Sequence, residues 1–471
     1  HTFLVIESLS YSGLYIVSEQ LLARREATSK SLNRMKGFLG AAVLAGWATT
    51  AGALPTITAY GNKFFTSEGK QFIMKGIAYQ LVEDDPLVDT EQCRRDAQLM
   101  ATLGANVIRV YHVDPLADHT GCMAEFASVG IYTLIDLDTF DTYILPNELR
   151  WTQTMHDAYS AVMDAFARFD NSLGFFVGNE IISTSGHSQA APFIKAAARD
   201  MKAYRDSKGY RKFPVGYSAA DIAELRPMLQ NYLTCGGDES QNVDFFALNS
   251  YSWCDVANYN TSGYVGLQEQ AKNFPVPIFF SETGCNVPGP RLFEDQAAIF
   301  GPDMINDWSG SLIYEWIEEA NHYGLISYGP RADPMIVNDS VKGGFVRKGQ
   351  PTPVAPDFEN LKTQWAKVTA AGIMRADYTP TAISTRECPT ATPGGWLVNG
   401  NVALPAVGDT STGGFQPAPR TTPTSSGSGT RAEVPTPSGS KDAKGSASSE
   451  REITGMGYAL VAVMLAFVIF A

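Results

Sequence analysis

The chain has 471 residues, of which 44% are hydrophobic, with 25 Phe, 20 Tyr and a formal net charge of −13. That length holds one large barrel with appendages or two to three average domains, and the apolar content is enough for a large core. The negative balance, with no basic patch to neutralise phosphates, excludes a nucleic-acid partner and suits an uncharged substrate.

The N-terminal region reads as an address. Met35-Lys36 introduces an apolar stretch from Phe38 to Trp47 that closes on Ala51-Gly52-Ala53. A basic start, an apolar middle and a small-residue cleavage site form a secretory signal, too short to span a membrane. Residues 35–53 are expected to be a signal peptide and residues 1–34 a non-native upstream extension. A true extension with an internal anchor is the alternative.

From Leu54 to Cys388, strand-like and helix-like segments alternate. Apolar runs at 72–77, 107–111, 132–137, 175–178, 214–217, 245–248, 278–281 and 311–314 read as strands. Helix-length stretches lie at 91–103, 154–169, 192–204, 222–229, 266–273 and 293–307, with a weak helix at 121–130. In 154–169, Ala158, Ala161, Val162, Ala165 and Phe166 recur at helical spacing. Strands each followed by a helix, over roughly 260 residues, are what a (β/α)8 TIM barrel requires.

Two of these runs end in glutamate: Phe175-Phe176-Val177-Gly178-Asn179-Glu180 and Ile278-Phe279-Phe280-Ser281-Glu282. Strand counting puts Glu180 after the fourth strand and Glu282 after the seventh, on the rim where such barrels carry their active sites. Two carboxyls facing one mouth meet the need of glycosidic-bond cleavage for an acid/base and a nucleophile. The alternative is two unrelated glutamates in salt bridges. Arg109, from the second strand, either keeps Glu282 ionised or pairs with Asp136 or Asp138. Tyr111, Tyr251, Tyr314 and Trp316 follow strand ends, where aromatic faces with polar handles suit a sugar-lined cleft. The six histidines show no metal-ligand pairing and no glycine-rich phosphate loop is present, so neither metal nor cofactor is expected.

All six cysteines lie in the part expected to be secreted, which suggests three disulfides among fifteen possible connectivities. The barrel count restricts these. Cys254 and Cys285 follow neighbouring strands six and seven, Cys93 and Cys122 follow strands one and two, and Cys235 is left for Cys388. The sequons at Asn260 and Asn338 suggest glycosylated surface loops.

Residues 389–446 are dense in Pro, Thr, Ser and Gly and are expected to be a disordered, O-glycosylated stalk. Small residues at Gly445-Ser446-Ala447, a polar spacer and an apolar tail from Met456 to Ala471 form an attachment signal for a glycosylphosphatidylinositol (GPI) anchor, with Gly445 as the site and 447–471 removed. Gly439-Ser440 is a rival site, and a retained tail helix is the alternative.

The string Asp170-Asn171-Ser172-Leu173-Gly174-Phe175-Phe176-Val177-Gly178-Asn179-Glu180 resembles the fungal β-1,3-glucanosyltransferases of glycoside hydrolase family 72. So do Pro214-Val215-Gly216-Tyr217-Ser218-Ala219-Ala220-Asp221, Asp244-Phe245-Phe246-Ala247-Leu248-Asn249-Ser250-Tyr251 and Arg109-Val110-Tyr111. The resemblance implies an enzyme that cleaves β-1,3-glucan internally and transfers the new reducing end onto the non-reducing end of another chain. It implies Glu180 as acid/base, Glu282 as nucleophile and Asn179 as a contact to the sugar 2-hydroxyl. Tyr111, Tyr251, Tyr314, Asp136 and Arg109 would line the cleft. Its partners would be donor and acceptor glucans and, through the anchor, the outer face of the plasma membrane and the cell wall. Thr283, Ser252, Ile182-Ser183-Thr184 and an apparent insertion at 329–342 depart from the family pattern. Too few cysteines follow the barrel for the cysteine-rich carbohydrate-binding module of some members. An endo-β-1,3-glucanase using water as acceptor, or an inactive glucan-binding wall protein, are the competing readings.

Overall fold

The computed structural model describes residues 54–410, apart from 337, 339, 369 and 381–385. The extension 1–34, the signal 35–53, linker residues 411–446 and the attachment segment with Gly445 lie outside the described residues.

Eight parallel strands close into a barrel in sequence order. They are β1 (Met74–Ala78), β2 (Val107–Val110), β3 (Tyr132–Asp136), β4 (Ser172–Asn179), β5 (Val215–Ala220), β6 (Phe245–Asn249), β7 (Ile278–Thr283) and β8 (Trp308–Ile313). Around them run α1 (Thr90–Leu103), α2 (Thr120–Ser128), α3 (Gln153–Phe166), α4 (Ala191–Ser207), α5 (Arg226–Thr234), α6 (Tyr264–Ala271), α7 (Asp295–Ile299) and α8 (Asp357–Lys367). Two expectations change. The stretch 293–307 holds only the short α7, because Gly301-Pro302 ends the helix. The eighth helix, which buries Phe358, Leu361 and Trp365, comes after a long excursion from β8.

The expected first strand, 72–77, is two elements. Gln71–Phe72 joins Ile57–Tyr60 and Lys63–Thr66 in a three-stranded antiparallel cap, and Met74–Ala78 enters the barrel. The cap plugs the lower end with Phe64, whose ring lies 6.2 Å from Phe245 and 6.1 Å from Phe279. Phe245 in turn meets Phe176 at 5.0 Å and Phe279 at 5.4 Å. All four rings are fully buried, and each contributes about 1.5–3 kcal/mol by leaving water. The bore accepts them because Gly216 carries no side chain; a methyl there would overlap Phe245.

Disulfides join Cys93 to Cys122, Cys254 to Cys285 and Cys235 to Cys388. Asn260 and Asn338 are both exposed. The chain does not leave the barrel at Cys388. Trp396 is 1% exposed, 5.7 Å from the Tyr232 ring, and its indole donates to Val398 O at 2.6 Å. Arg199 donates to Pro405 O at 2.7 Å, and Asp409–Thr410 pair antiparallel with Arg150–Trp151. Residues 389–410, expected to belong to the linker, therefore pack on the barrel domain. Composition concealed this, because a few anchors such as Trp396 and Val398 hold a segment with no apolar periodicity.

Trp396→Ala should lower domain stability by about 3–5 kcal/mol, the range for emptying a buried tryptophan site. Thermal or urea unfolding checks this. An unchanged midpoint would mean the strap adds nothing to the fold.

Candidate active site

The site is built on one buried guanidinium. Arg109, at the end of β2, is 0% exposed, and all five of its N–H groups find acceptors. Nε and Nη2 grip Asp136 at 3.0 and 2.7 Å. Nη2 also reaches Asn179 Oδ1 at 3.1 Å, and Nη1 reaches Ser218 Oγ at 3.2 Å and Glu282 Oε1 at 3.5 Å. Its faces lie over Tyr111 at 4.4 Å and Phe176 at 4.3 Å. Arg109 thus contacts both Asp136 and Glu282, with Asp136 as the tighter partner. Asp138 is not among the partners of the guanidinium.

Glu282, at the end of β7, is 8% exposed. Besides Arg109 it accepts from Tyr111 Oη at 2.8 Å on one oxygen and Tyr251 Oη at 2.8 Å on the other. Glu180 follows β4 and opens to the cleft. Its backbone is left-handed, with φ 50°, a strain of about 1–3 kcal/mol for a non-glycine residue. The barrel holds it there: Glu180 N donates to Ser218 O at 2.9 Å, and Ile181 N to Tyr217 Oη at 2.9 Å. One donor reaches its carboxyl, Asn249 Nδ2 at 3.1 Å.

Burial raises Glu180, while Asn249 and Arg109 oppose the shift. Burial, and then the charge of Glu180, raise Glu282 against the pull of Arg109, Tyr251 and Tyr111. Among the described residues Glu282 has three donors suited to a carboxylate and Glu180 has one, an inequality that favours the charged form on Glu282 over Glu180. Burial, then Glu282, push both phenols well above their usual range, so both stay protonated as donors.

Asn179 Oδ1 is taken by Arg109 and by Asn249 Nδ2 at 3.1 Å, which leaves its amide hydrogens for a ligand. Asp136 differs from expectation. It is 2% exposed with both oxygens on Arg109, so it positions the arginine and does not line the cleft. Arg109 is equally enclosed. Trp316 also leaves the cleft: it is fully buried, with its indole on Tyr328 Oη at 3.2 Å. Tyr314 remains at the mouth and, with Tyr251, packs edge-to-face on Tyr323 at 5.5 Å.

Sequence reasoning missed Tyr323 and Asn249 as site residues. Tyr323 lies in a loop that no strand count places. Asn249 carried the usable signal, a polar residue closing an apolar strand. Among the departures, Thr283 is buried and bonded to Asp295 at 3.2 Å, away from the carboxyl pair. The excursion after β8 folds back through Ile326–Ser327 paired with Thr352–Pro353, and its Lys342 and Arg347 pair with Glu83 and Glu319.

A closed (β/α)8 barrel with a carboxyl pair after its fourth and seventh strands defines a class of barrels that act on glycosidic bonds. Comparison narrows the class: the glycoside hydrolase family 72 profile, described as Glucanosyltransferase, matches residues 47–369. The chain belongs to that family. It is 39% identical over 347 residues to Protein EPD1 of Candida maltosa, covering 72% of this chain and 60% of that protein. It is 38% identical over 366 residues to the 1,3-beta-glucanosyltransferase GAS2 of Saccharomyces cerevisiae, covering 73% and 62%. A mutant of Saccharomyces cerevisiae Gas2p in complex with laminaritetraose and laminaripentaose matches the fold with a TM-score of 0.67 at 38% identity, over 76% of this chain and 75% of that one. The chain spans about 60% of the length of the curated relatives it matches.

Removing a phenol that favours the Glu282 carboxylate raises its pKa, so ionisation requires higher pH. Tyr251→Phe should therefore move the acidic limb of the kcat/KM profile upward by about one pH unit, the value of one hydrogen bond to a charged group. A limb that stays in place, or moves down, would separate Tyr251 from the ionisation of Glu282.

Proposed function

We propose that this protein is a retaining β-1,3-glucanosyltransferase. The observation that carries the reading is the unequal pair: Glu282 held by three donors beside Glu180 held by one. In the first step a Glu282 oxygen attacks the anomeric carbon. The bond to the leaving oxygen breaks, and Glu180 delivers its proton to that oxygen. In the second step the hydroxyl of an acceptor glucan attacks the same carbon, Glu180 takes the acceptor's proton, and the ester bond to Glu282 breaks. The free amide hydrogens of Asn179 suit the 2-hydroxyl of the sugar held between the two carboxyls.

Water at about 55 M competes for the ester, so transfer wins only where an acceptor is held and oriented. Effective molarities on the order of 10⁵ M or more are available to well-placed groups. Tyr251, Tyr314 and Tyr323 form an aromatic wall on the β6–β8 side that supports an acceptor glucan in this reading. The expected ends of the chain extend it to a secreted enzyme, glycosylated at Asn260 and Asn338. It would be tethered by a GPI anchor at Gly445 to the outer face of the plasma membrane and act on the cell wall.

Glu282→Gln should abolish turnover of laminari-oligosaccharides without altering the fold. Glu180→Gln should still load the enzyme from a donor whose leaving group needs no protonation. Chromatography of products from a reduced oligosaccharide decides between acceptors. Longer sugars than the substrate are expected, and only shorter ones would make the protein a hydrolase. Tyr251→Ala and Tyr314→Ala should lower the ratio of elongated to hydrolysed product.

For the anchor, phosphatidylinositol-specific phospholipase should release the protein from membranes. Detecting Phe470 in the mature chain would overturn that part of the proposal.

A further inference from the structure

The turn after β8 holds a buried carboxyl that neither step of the proposed reaction uses. Glu315 follows Tyr314 directly and is 4% exposed. A short loop is folded onto it. Glu315 Oε1 accepts from Asn321 Nδ2 at 2.8 Å, and Asn321 Oδ1 accepts in turn from Tyr323 N at 3.1 Å. The Glu315 backbone closes the same loop: its N donates to Tyr323 O at 3.0 Å, and its O accepts from Leu325 N at 3.0 Å. Tyr323 is therefore seated through Glu315, and its ring meets those of Tyr251 and Tyr314 at 5.5 Å each.

The surroundings of this carboxyl favour its neutral form. Among the described residues one donor, Asn321, reaches it. Glu319 in its own loop and Glu282 on β7 both act on it with like charge, while the opposing cation, Arg347, is already paired with Glu319 and donates to Leu81 O at 3.5 Å. The other charges around the loop are paired among themselves. His322 Nδ1 meets Glu318 Oε1 at 2.8 Å, Glu318 Oε2 accepts from Gly324 N at 3.0 Å, and Arg291 Nε donates to Asp357 at 2.6 Å. Burial, and then Glu319, hold Glu315 well above the usual carboxylate range. Ionising it puts a further negative charge beside Glu282 and Glu319 in a place closed to water. A buried charge without a partner is costly, and the chain relieves the cost by moving the carboxyl toward solvent, with Asn321 and the Tyr323 backbone attached to it.

Resting on the glucanosyltransferase reading above, we infer that Glu315 is a positioning residue for the acceptor: its protonated carboxyl seats the Asn321–Tyr323 loop and so completes the aromatic wall, and loss of the proton unseats it. Glu315 itself touches neither the sugar nor the reacting carbon. The consequence is a choice of acceptor that depends on pH. In the second step water and a sugar hydroxyl both give their proton to Glu180, so titration of Glu180 alters both rates together and leaves their ratio alone. The wall acts on the glucan and not on water. Transfer therefore prevails at acid pH and yields to hydrolysis as pH rises.

Products from a reduced laminari-oligosaccharide, separated by chromatography at matched total cleavage across a pH series, test this. The ratio of elongated to hydrolysed product should be level at acid pH and fall by about three- to tenfold as pH rises, the worth of one aromatic contact. Glu315→Gln, which keeps an acceptor for Asn321 and cannot ionise, should hold the acid-pH ratio across the series. Glu315→Ala should give the low ratio at every pH. Asn321→Ala breaks the same link from a half-buried position and should do likewise, which keeps the test open if the Glu315→Ala protein fails to fold. A Gln variant whose ratio falls with pH as the parent's does, an Asn321→Ala variant with the parent's ratio, or a parent whose ratio is level throughout overturns the role of Glu315. If the parent elongates no sugar at any pH, the glucanosyltransferase reading itself has failed.

Discussion

Everything at the catalytic end of this barrel is arranged around the charge on Arg109. Moving a guanidinium out of water costs several kcal/mol unless its charge and every N–H are answered. The answer comes from four strands: Asp136 on β3, Asn179 on β4, Ser218 on β5 and Glu282 on β7. The order of distances matters chemically. At 2.7 and 3.0 Å the guanidinium is committed to Asp136, and both carboxylate oxygens accept, so Asp136 is ionised although burial raises its pKa. Glu282 at 3.5 Å receives only the remainder. A carboxylate fully neutralised by arginine would be a poor nucleophile, and one with no positive neighbour would not ionise in so buried a place. The shared arginine gives the middle case.

That arrangement depends on a stiff base. From the cap upward the bore is filled by Phe64, then by Phe245, Phe279 and Phe176, and Arg109 rests on the Phe176 face. Close-packed rings transmit position because they have few alternative rotamers. Bonds from β5 hold Glu180 in its left-handed backbone, so the strain there rests on a part of the barrel with little freedom to relax it.

The sequence made the barrel and its two glutamates legible for one reason. Apolar runs of barrel strands are uninterrupted, so a polar residue at their end marks the rim. Glu180 and Glu282 stand out this way, and Asn249 does so equally. Features that depend on contacts between distant segments were hidden. Asp136 and Arg109 have the right identities for a cleft, yet burial decides that they support it from below, and burial is not written in spacing. Trp316 illustrates the converse: a rim position by count, whose ring turns into the core toward Tyr328. The strap through Trp396 and the late helix α8 escaped because Pro- and Gly-rich composition and a long excursion both resemble the end of a domain.

Tyr251 belongs to two structures at once: its hydroxyl donates to Glu282, while its ring packs on Tyr323. Donors bind a carboxylate about twice as strongly as a neutral oxygen. In the proposed double displacement, Glu282 would lose its charge on becoming an ester, and the hold of Tyr251 and Tyr111 on it would weaken. As the ester of that reading breaks and charge returns to Glu282, the same phenols would regain their partner and stabilise the departing carboxylate. In the reading proposed above, the groups that favour the Glu282 carboxylate would therefore also make it a good leaving group in the second step, and one of them, Tyr251, also packs on Tyr323.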